Sequence, residues 1–220
     1  MSRLLVHVEG QTEESFVNDL LAPYLHAQAG YWFVRAVGLG SAPTRSGRFG
    51  GRAWASAKKG ILWDLRNDPA LTVTTMVDFY ALRQDWPAKP TARHAREIEA
   101  GMHRDIVEAM GPDFNPRRFI PFVMMHEFEA LLFSNPDLLG SVLKVDPGLL
   151  WEIRNQFPSP EEINDSVHTA PSKRIEGIQQ RYEKVDDGIV CATAIGLLTM
   201  QDQCPHFAEW VRRLEARGQM

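Results

Sequence analysis

The sequence predicts an α/β protein: a mostly parallel four-stranded sheet flanked by helices, followed by a helical C-terminal part. Three observations predict it. Strand-like runs alternate with helical patterns in the order β-α-β-α-β-α-β over residues 3–125, which implies parallel pairing through right-handed crossovers. The first run, Arg3–Val8, is apolar almost throughout, as a strand buried on both faces is. Beyond His126 the hydrophobic spacing is helical, in segments near 127–133, 147–156, 171–184, 188–200 and 204–217, with proline-rich breaks such as Phe157–Pro160.

Each element has a local cause. Leu4, Leu5, Val6 and Val8 form the first strand, which Glu9-Gly10 ends. Thr12 is a helix N-cap residue, and Glu13 and Glu14 suit the positive first turn after it. Phe16, Val17, Leu20 and Leu21 continue at helical spacing until Pro23, which is expected to kink or end the helix. Tyr31–Val37 is rich in aromatic and branched residues and reads as the second strand. Gly38–Gly51 holds five glycines and reads as a long polar loop. Arg52–Arg66 follows as a helix with Trp54, Ile61, Leu62 and Leu65 on its apolar side. Leu71–Tyr80 is the third strand, Ala92–Met110 an amphipathic helix, and Arg118–Met125 the fourth strand despite Pro121.

Composition bounds the function. The 220 residues carry 24 Lys+Arg against 28 Asp+Glu, a formal net charge of −4, with 44% hydrophobic residues. That balance excludes a disordered chain, a collagen and a coiled-coil rod. The length accommodates an α/β core over 1–125 and a helical part over 126–220 packed on it. Apolar runs such as Ala194–Met200 fall far short of the roughly 20 residues that span a bilayer, so no membrane is expected. No signal-peptide pattern opens the sequence. Cys191 and Cys204 read as reduced thiols of a cytoplasmic protein. A mildly acidic chain is not held to nucleic acid by bulk charge, so phosphate contacts must come from a local patch or from metal ions.

The chemistry concentrates where strands end. Glu9, Asp78 and the His126-Glu127-x-Glu129 cluster each follow an apolar run, and in parallel sheets ligands collect at that edge. Carboxylates sharing a crevice repel one another unless a counter-ion is present. Mg²⁺ or Mn²⁺ fits, since these hard ions take oxygen ligands. Taken singly, Glu9 is equally a helix-start acid, Asp78 a turn cap, and Glu127 and Glu129 solvated residues at a helix start. Glu127 and Glu129 point about 200° apart if helical and share a face if extended. His7 stands two residues before Glu9 on one strand face, and reads as a hydrogen-bonded core histidine or as a member of the site. Lys173 and Arg174 follow Pro171-Ser172 at a helix start, where cations oppose the dipole. Lys173 there either stabilises phosphoryl charge or covers a solvated face. Arg45, Arg48 and Arg52, with Lys58 and Lys59, make the glycine-rich region locally basic. Phe49 and Trp54 are interleaved, a pattern that suits nucleic-acid contact and equally suits a surface loop with a core tryptophan. No P-loop, nucleophile elbow or catalytic cysteine pattern is present.

The strand followed by VEGxTE (Val8–Glu13), with an aspartate closing a later strand, resembles the Toprim domain of topoisomerases, primases and overcoming-lysogenization-defect nucleases. VEGQTEESFV (Val8–Val17), VDFYALRQDWP (Val77–Pro87), HEFEALLFSNP (His126–Pro136) and TAPSKRI (Thr169–Ile175) are similar to a bacterial family called domain of unknown function 4276, regarded as Toprim-like and often encoded beside an ATPase in phage-defence operons. The resemblance implies a Toprim-like fold. It makes Glu9 a metal ligand or general acid/base and Asp78 the first acid of Asp-x-Asp. Tyr80 stands at the second acid's place, for which Asp85, Glu127 or Glu129 are substitutes. The implied function is a Mg²⁺- or Mn²⁺-dependent nuclease using Glu9, Asp78 and Lys173, with metal ligands Glu9, Asp78, Glu127 and Glu129. Arg45, Arg48, Arg52 and Arg174 then contact nucleic acid, and the ammonium of Lys173 is expected to point toward the strand-end acids. The implied partners are nucleic acid, an AAA- or ABC-type ATPase encoded nearby and a second copy in a homodimer. The alternatives are a non-catalytic adaptor of an ATPase and a phosphatase on a small nucleotide.

Overall fold

A computed structural model of the protein describes residues 2–39, 53–164 and 169–219. The chain divides into two compact units, Met1–Val123 with Arg212–Met220, and Met124–Val211.

The first unit is built on β1 (Ser2–Val8), β2 (Tyr31–Gly38), β3 (Leu71–Asp78) and β4 (Phe119–Ile120), ordered β2-β1-β3-β4. Every neighbouring pair along that order is parallel. The α/β architecture expected from the sequence is therefore present, and it is consistent with a Toprim-like fold. Leu4, Val6, Val8, Val73, Met76 and Val77 are fully buried in the sheet. Each such side chain contributes roughly 1.5–3 kcal/mol relative to exposure. The crossovers run through α1 (Gln11–Phe16) and α2 (Ala22–Ala29), through α3 (Trp54–Asn67), and through α4 (Ala95–Met110). Phe16, Leu25, Ile61, Leu65, Ile98 and Met102 form their buried faces.

Among the boundaries that depart from the sequence expectation, three have a clear local cause. Pro23 does not end the first helix, because a π-helical stretch, Val17–Leu21, leads into α2 with the proline in its first turn. There its missing N–H does no harm. Gly30 in the left-handed region, φ 71°, terminates α2 instead. The helix expected from Ala92 begins at Ala95, where His94 and Glu97 form a reciprocal capping box. The fourth strand is not continuous. Pro121 donates no backbone hydrogen bond, and the run splits into β4 and β5 (Val123–Met124), which also pairs with β3. The side chain of Thr75 spans the break, donating to Phe122 O and accepting from Phe122 N, both at 2.9 Å.

The second unit is helical: a 3₁₀ stretch over Phe128–Ser134, α5 (Pro136–Leu143), α6 (Pro147–Arg154), α7 (Pro171–Ile178), α8 (Lys184–Ile195), α9 (Leu197–Gln203) and the start of α10 (Pro205–Gly218). Phe128, Phe133, Leu139, Leu150, Ile175 and Phe207 are buried in it. The Glu161 carboxylate accepts from the backbone N–H groups of His206 and Phe207, both at 2.9 Å, and so caps α10. Cys191 and Cys204 are free and buried. Burial pushes the Cys191 thiol up to about 12 and raises Cys204 further, so both remain protonated and inert. Among the described residues no helix is long and apolar enough to cross a membrane.

Candidate functional site

β1 and β3 lie side by side in the same direction, with Val8 opposite Met76. Glu9 follows β1 directly and Asp78 closes β3, so both acids stand at the carboxyl edge of neighbouring strands. The Asp78 backbone N–H donates to Glu9 Oε2 at 3.2 Å. Both residues are partly exposed. Another acid lies beside Gly10. Glu13 is buried, and a Cβ placed on Gly10 would meet Glu13 Oε2 at 2.9 Å. Gly10, whose backbone is extended, leaves room for that carboxylate, which a larger residue would displace. Glu13 is buried beyond what a helix-dipole role needs, because its carboxylate folds back beside Gly10.

A cation also reaches this edge. Lys89 Nζ donates to Phe79 O at 2.5 Å, one residue past Asp78, and lies 3.4 Å from the Phe79 ring centre. Burial holds its ammonium below the ordinary lysine range. Nothing in the local sequence marks Lys89, because the loop that returns it to the strand end is ten residues long and irregular. Tyr80, which the sequence resemblance sets at a second acid's place, is 40% exposed in the turn after β3. Among the described residues no group of three or more His, Cys, Asp or Glu side chains is gathered to hold a metal. Glu9 and Asp78 are tied to each other through the Asp78 backbone N–H.

Other candidates of the first unit have structural partners. His7 is buried, with Nε2 2.8 Å from Asp64 Oδ2, so it is a hydrogen-bonded core histidine. Asp85 accepts from Trp54 N at 2.9 Å, which caps α3, and its other oxygen is 3.5 Å from Arg83 Nε. Trp54 is buried against Trp86, ring centres 5.0 Å apart, and its indole N–H donates to Asp105. Lys58 pairs with the same aspartate at 2.6 Å. Arg45, Arg48, Arg52 and Phe49 lie outside the described residues.

The second unit holds its own polar cluster. Glu127 is still extended, φ −148°, at the start of the 3₁₀ stretch, and Glu129 enters its first turn. Lys184 Nζ lies 3.6 Å from Glu127 Oε1 and 3.3 Å from Glu129 Oε1, so the two acids share one ammonium. Glu127 Oε2 accepts from Ser172 N at 3.1 Å, which joins the HEFE and TAPSKR segments across 45 residues and caps α7. The Tyr182 hydroxyl and Ser172 Oγ are buried without a hydrogen-bond partner among the described residues. Burial, and then the neighbouring Glu129, raises the tyrosine's pKa. His126 has φ 75°, and its Nδ1 lies 2.9 Å from the Asn164 amide nitrogen. Burial lowers its pKa to about 4, against the pull of Glu127; the ring is neutral at pH 7 and Nδ1 accepts the amide N–H. Lys173 pairs with Glu176 at 2.5 Å and is 53% exposed. Arg174 donates to Thr169 O at 2.8 Å and lies over the Phe157 ring. The ammonium that meets the HEFE acids is that of Lys184, which sequence spacing did not single out.

A family model described as a domain of unknown function (DUF4276) matches residues 8–215. No curated protein and no solved structure matches.

Proposed function

The chain belongs to the family called domain of unknown function 4276, and on that premise we propose that it is a Toprim-type nuclease that cleaves phosphodiesters of nucleic acid with Mg²⁺ or Mn²⁺. The observation that carries this reading is the pairing of Glu9 and Asp78 at adjacent parallel strand ends, tied by the 3.2 Å hydrogen bond. Two carboxylates on a partly exposed edge suit Mg²⁺, which takes one or two carboxylates and completes its shell with water and substrate phosphate. Glu9 and Asp78 would hold the ion; when bound, it supplies Lewis acidity toward the phosphodiester. Asp78 N–H fixes the orientation of Glu9, and Gly10 allows close approach to the strand end. Lys89 places positive charge one residue beyond Asp78, where it offsets the charge of an incoming phosphate. The family resemblance supports an effector role in phage defence with an ATPase partner.

A second reading is a non-catalytic adaptor of such an ATPase. The exposed Tyr80 at the second acid's position supports it. One experiment separates the two. The nuclease reading expects cleavage of DNA or RNA in Mn²⁺ that is lost in Glu9→Gln and in Asp78→Asn. It also expects millimolar Mn²⁺ to raise the melting temperature of the wild type but not of Asp78→Asn, because the ion binds only the folded state. No cleavage and no metal-dependent shift in the wild type would leave the adaptor.

A further inference from the structure

The first unit contains a second concave site that the acid pair does not explain. A cavity of about 350 Å³ is lined by Phe119 and Ile120 of β4, by His103 of α4, and by Arg117, Arg213 and Arg217. Its size falls within the range of small-molecule pockets. Phe119 and Ile120 pair with Val73 and Thr74, four to five residues before Asp78. At about 3.3 Å per residue the cavity sits roughly 15 Å back along the strands from the acid edge.

The charge at this cavity is unusual for the chain. Acids outnumber cations 28 to 24 overall, yet three arginines line one cavity, Arg117 and Arg213 exposed and Arg217 partly buried. Among the described residues none of the three makes a side-chain hydrogen bond or ion pair, and the Nε of Arg217 is buried without a partner. Arg213 and Arg217 stand four apart on α10, where like charges repel. Arg217 also presses on Arg118, lowering its pKa after the larger effect of burial. Arg118 itself is fully engaged with the carbonyls of Leu65, Asp68 and Leu71. The helix C-terminus favours cations only modestly. An anion in the cavity would remove the repulsion and satisfy the forks, which match phosphate bidentately.

The rest of the lining is Pro116, Ala216, the buried Phe119 and Ile120, and the His103 ring. The His103 and Phe119 rings are nearly parallel, 10° apart with centres separated by 6.3 Å. His103 keeps its place through Nε2, 3.1 Å from Pro116 O. A ligand for this site therefore has a phosphate at one end and a planar, largely apolar body of limited size at the other.

We propose that this cavity binds a nucleoside monophosphate unit, with the phosphate on Arg117, Arg213 and Arg217 and the base against the partly exposed His103 ring, which is backed by the buried Phe119. The unit is supplied as a free mononucleotide or as the phosphorylated terminal nucleotide of a strand. The inference stands apart from the metal-dependent reading, and its test is run in EDTA so that failure of one is not failure of the other. Binding of adenosine 5′-monophosphate, adenosine and inorganic phosphate is measured by calorimetry on the full chain. The expected result is that the monophosphate binds more tightly than either fragment and that Arg213→Ala/Arg217→Ala weakens it about tenfold or more. Glu9→Gln should leave it unchanged. Arg117→Ala, an exposed site, should weaken it less, with an unaltered melting temperature that rules out misfolding. A 5′-phosphorylated oligonucleotide that displaces the monophosphate, when its 5′-hydroxyl counterpart does not, identifies the strand end as the ligand; no displacement by either identifies the free nucleotide. Binding of monophosphate that is insensitive to the arginine variants, absent altogether, or matched by inorganic phosphate overturns the proposal.

Discussion

His126 combines two costs at one residue: a left-handed backbone, φ 75°, and a half-buried imidazole whose pKa is lowered to about 4. A base whose folded pKa lies below its unfolded value is protonated first in the unfolded state. Stability is therefore complete above about pH 6.5 and falls as pH drops toward 4. The limiting loss is about 3 kcal/mol, smaller where water reaches the ring. Urea unfolding of wild type at pH 7 and pH 4.5 should show this drop. His126→Asn, which tolerates the left-handed region, should show a smaller one. Lys184 is the complementary case. Glu129 is 3% exposed and has this ammonium 3.3 Å away. Lys184→Met should destabilise by about 2 kcal/mol, because removing one partner of a buried pair leaves the other's desolvation uncompensated. Chemical denaturation checks it, and the same loss in Glu129→Gln/Lys184→Met would show that the charge pair is not the cause.

At the scale of elements, Thr75 continues a sheet that Pro121 interrupts. Thr75→Val keeps the shape and removes both hydrogen bonds to Phe122. A loss of about 2–3 kcal/mol in urea unfolding is expected, since the Phe122 backbone groups stay buried. The sequence showed four strand regions, their succession along the chain and the strand-end placement of Glu9 and Asp78, because period, length and terminating acids are local signals. It did not show the bridge, because Thr75 and Phe122 are 47 residues apart and a threonine in a β-prone run looks like any other. Lys89 and Lys184 were illegible for the same reason: each finds its acceptors through chain that has no periodic pattern. Asp85 and Trp54 looked like chemistry in the sequence and are structural in the fold, since a carboxylate near a helix start caps it and a large ring near a core fills it.

For the molecule as a whole, the first unit is closed by residues from the far end of the sequence. Ser2 Oγ donates to Gly218 O, Tyr24 to Glu215, and Tyr31 to Leu214 O. A Cβ on Gly218 would collide with Ala29 O and the Tyr31 ring. Gly218→Val should cost about 2 kcal/mol or more through overpacking, read as a lower urea midpoint with an unchanged slope. The same closure has a consequence for biosynthesis. After Val123 is added to the chain, 88 further residues must be translated before Arg212 is added. At bacterial or eukaryotic speeds of about 5–20 residues per second, that is an interval on the order of 5–20 s. Throughout it the nascent parallel sheet lacks its final strip of packing, which makes this interval the stage at which the growing chain most needs a chaperone.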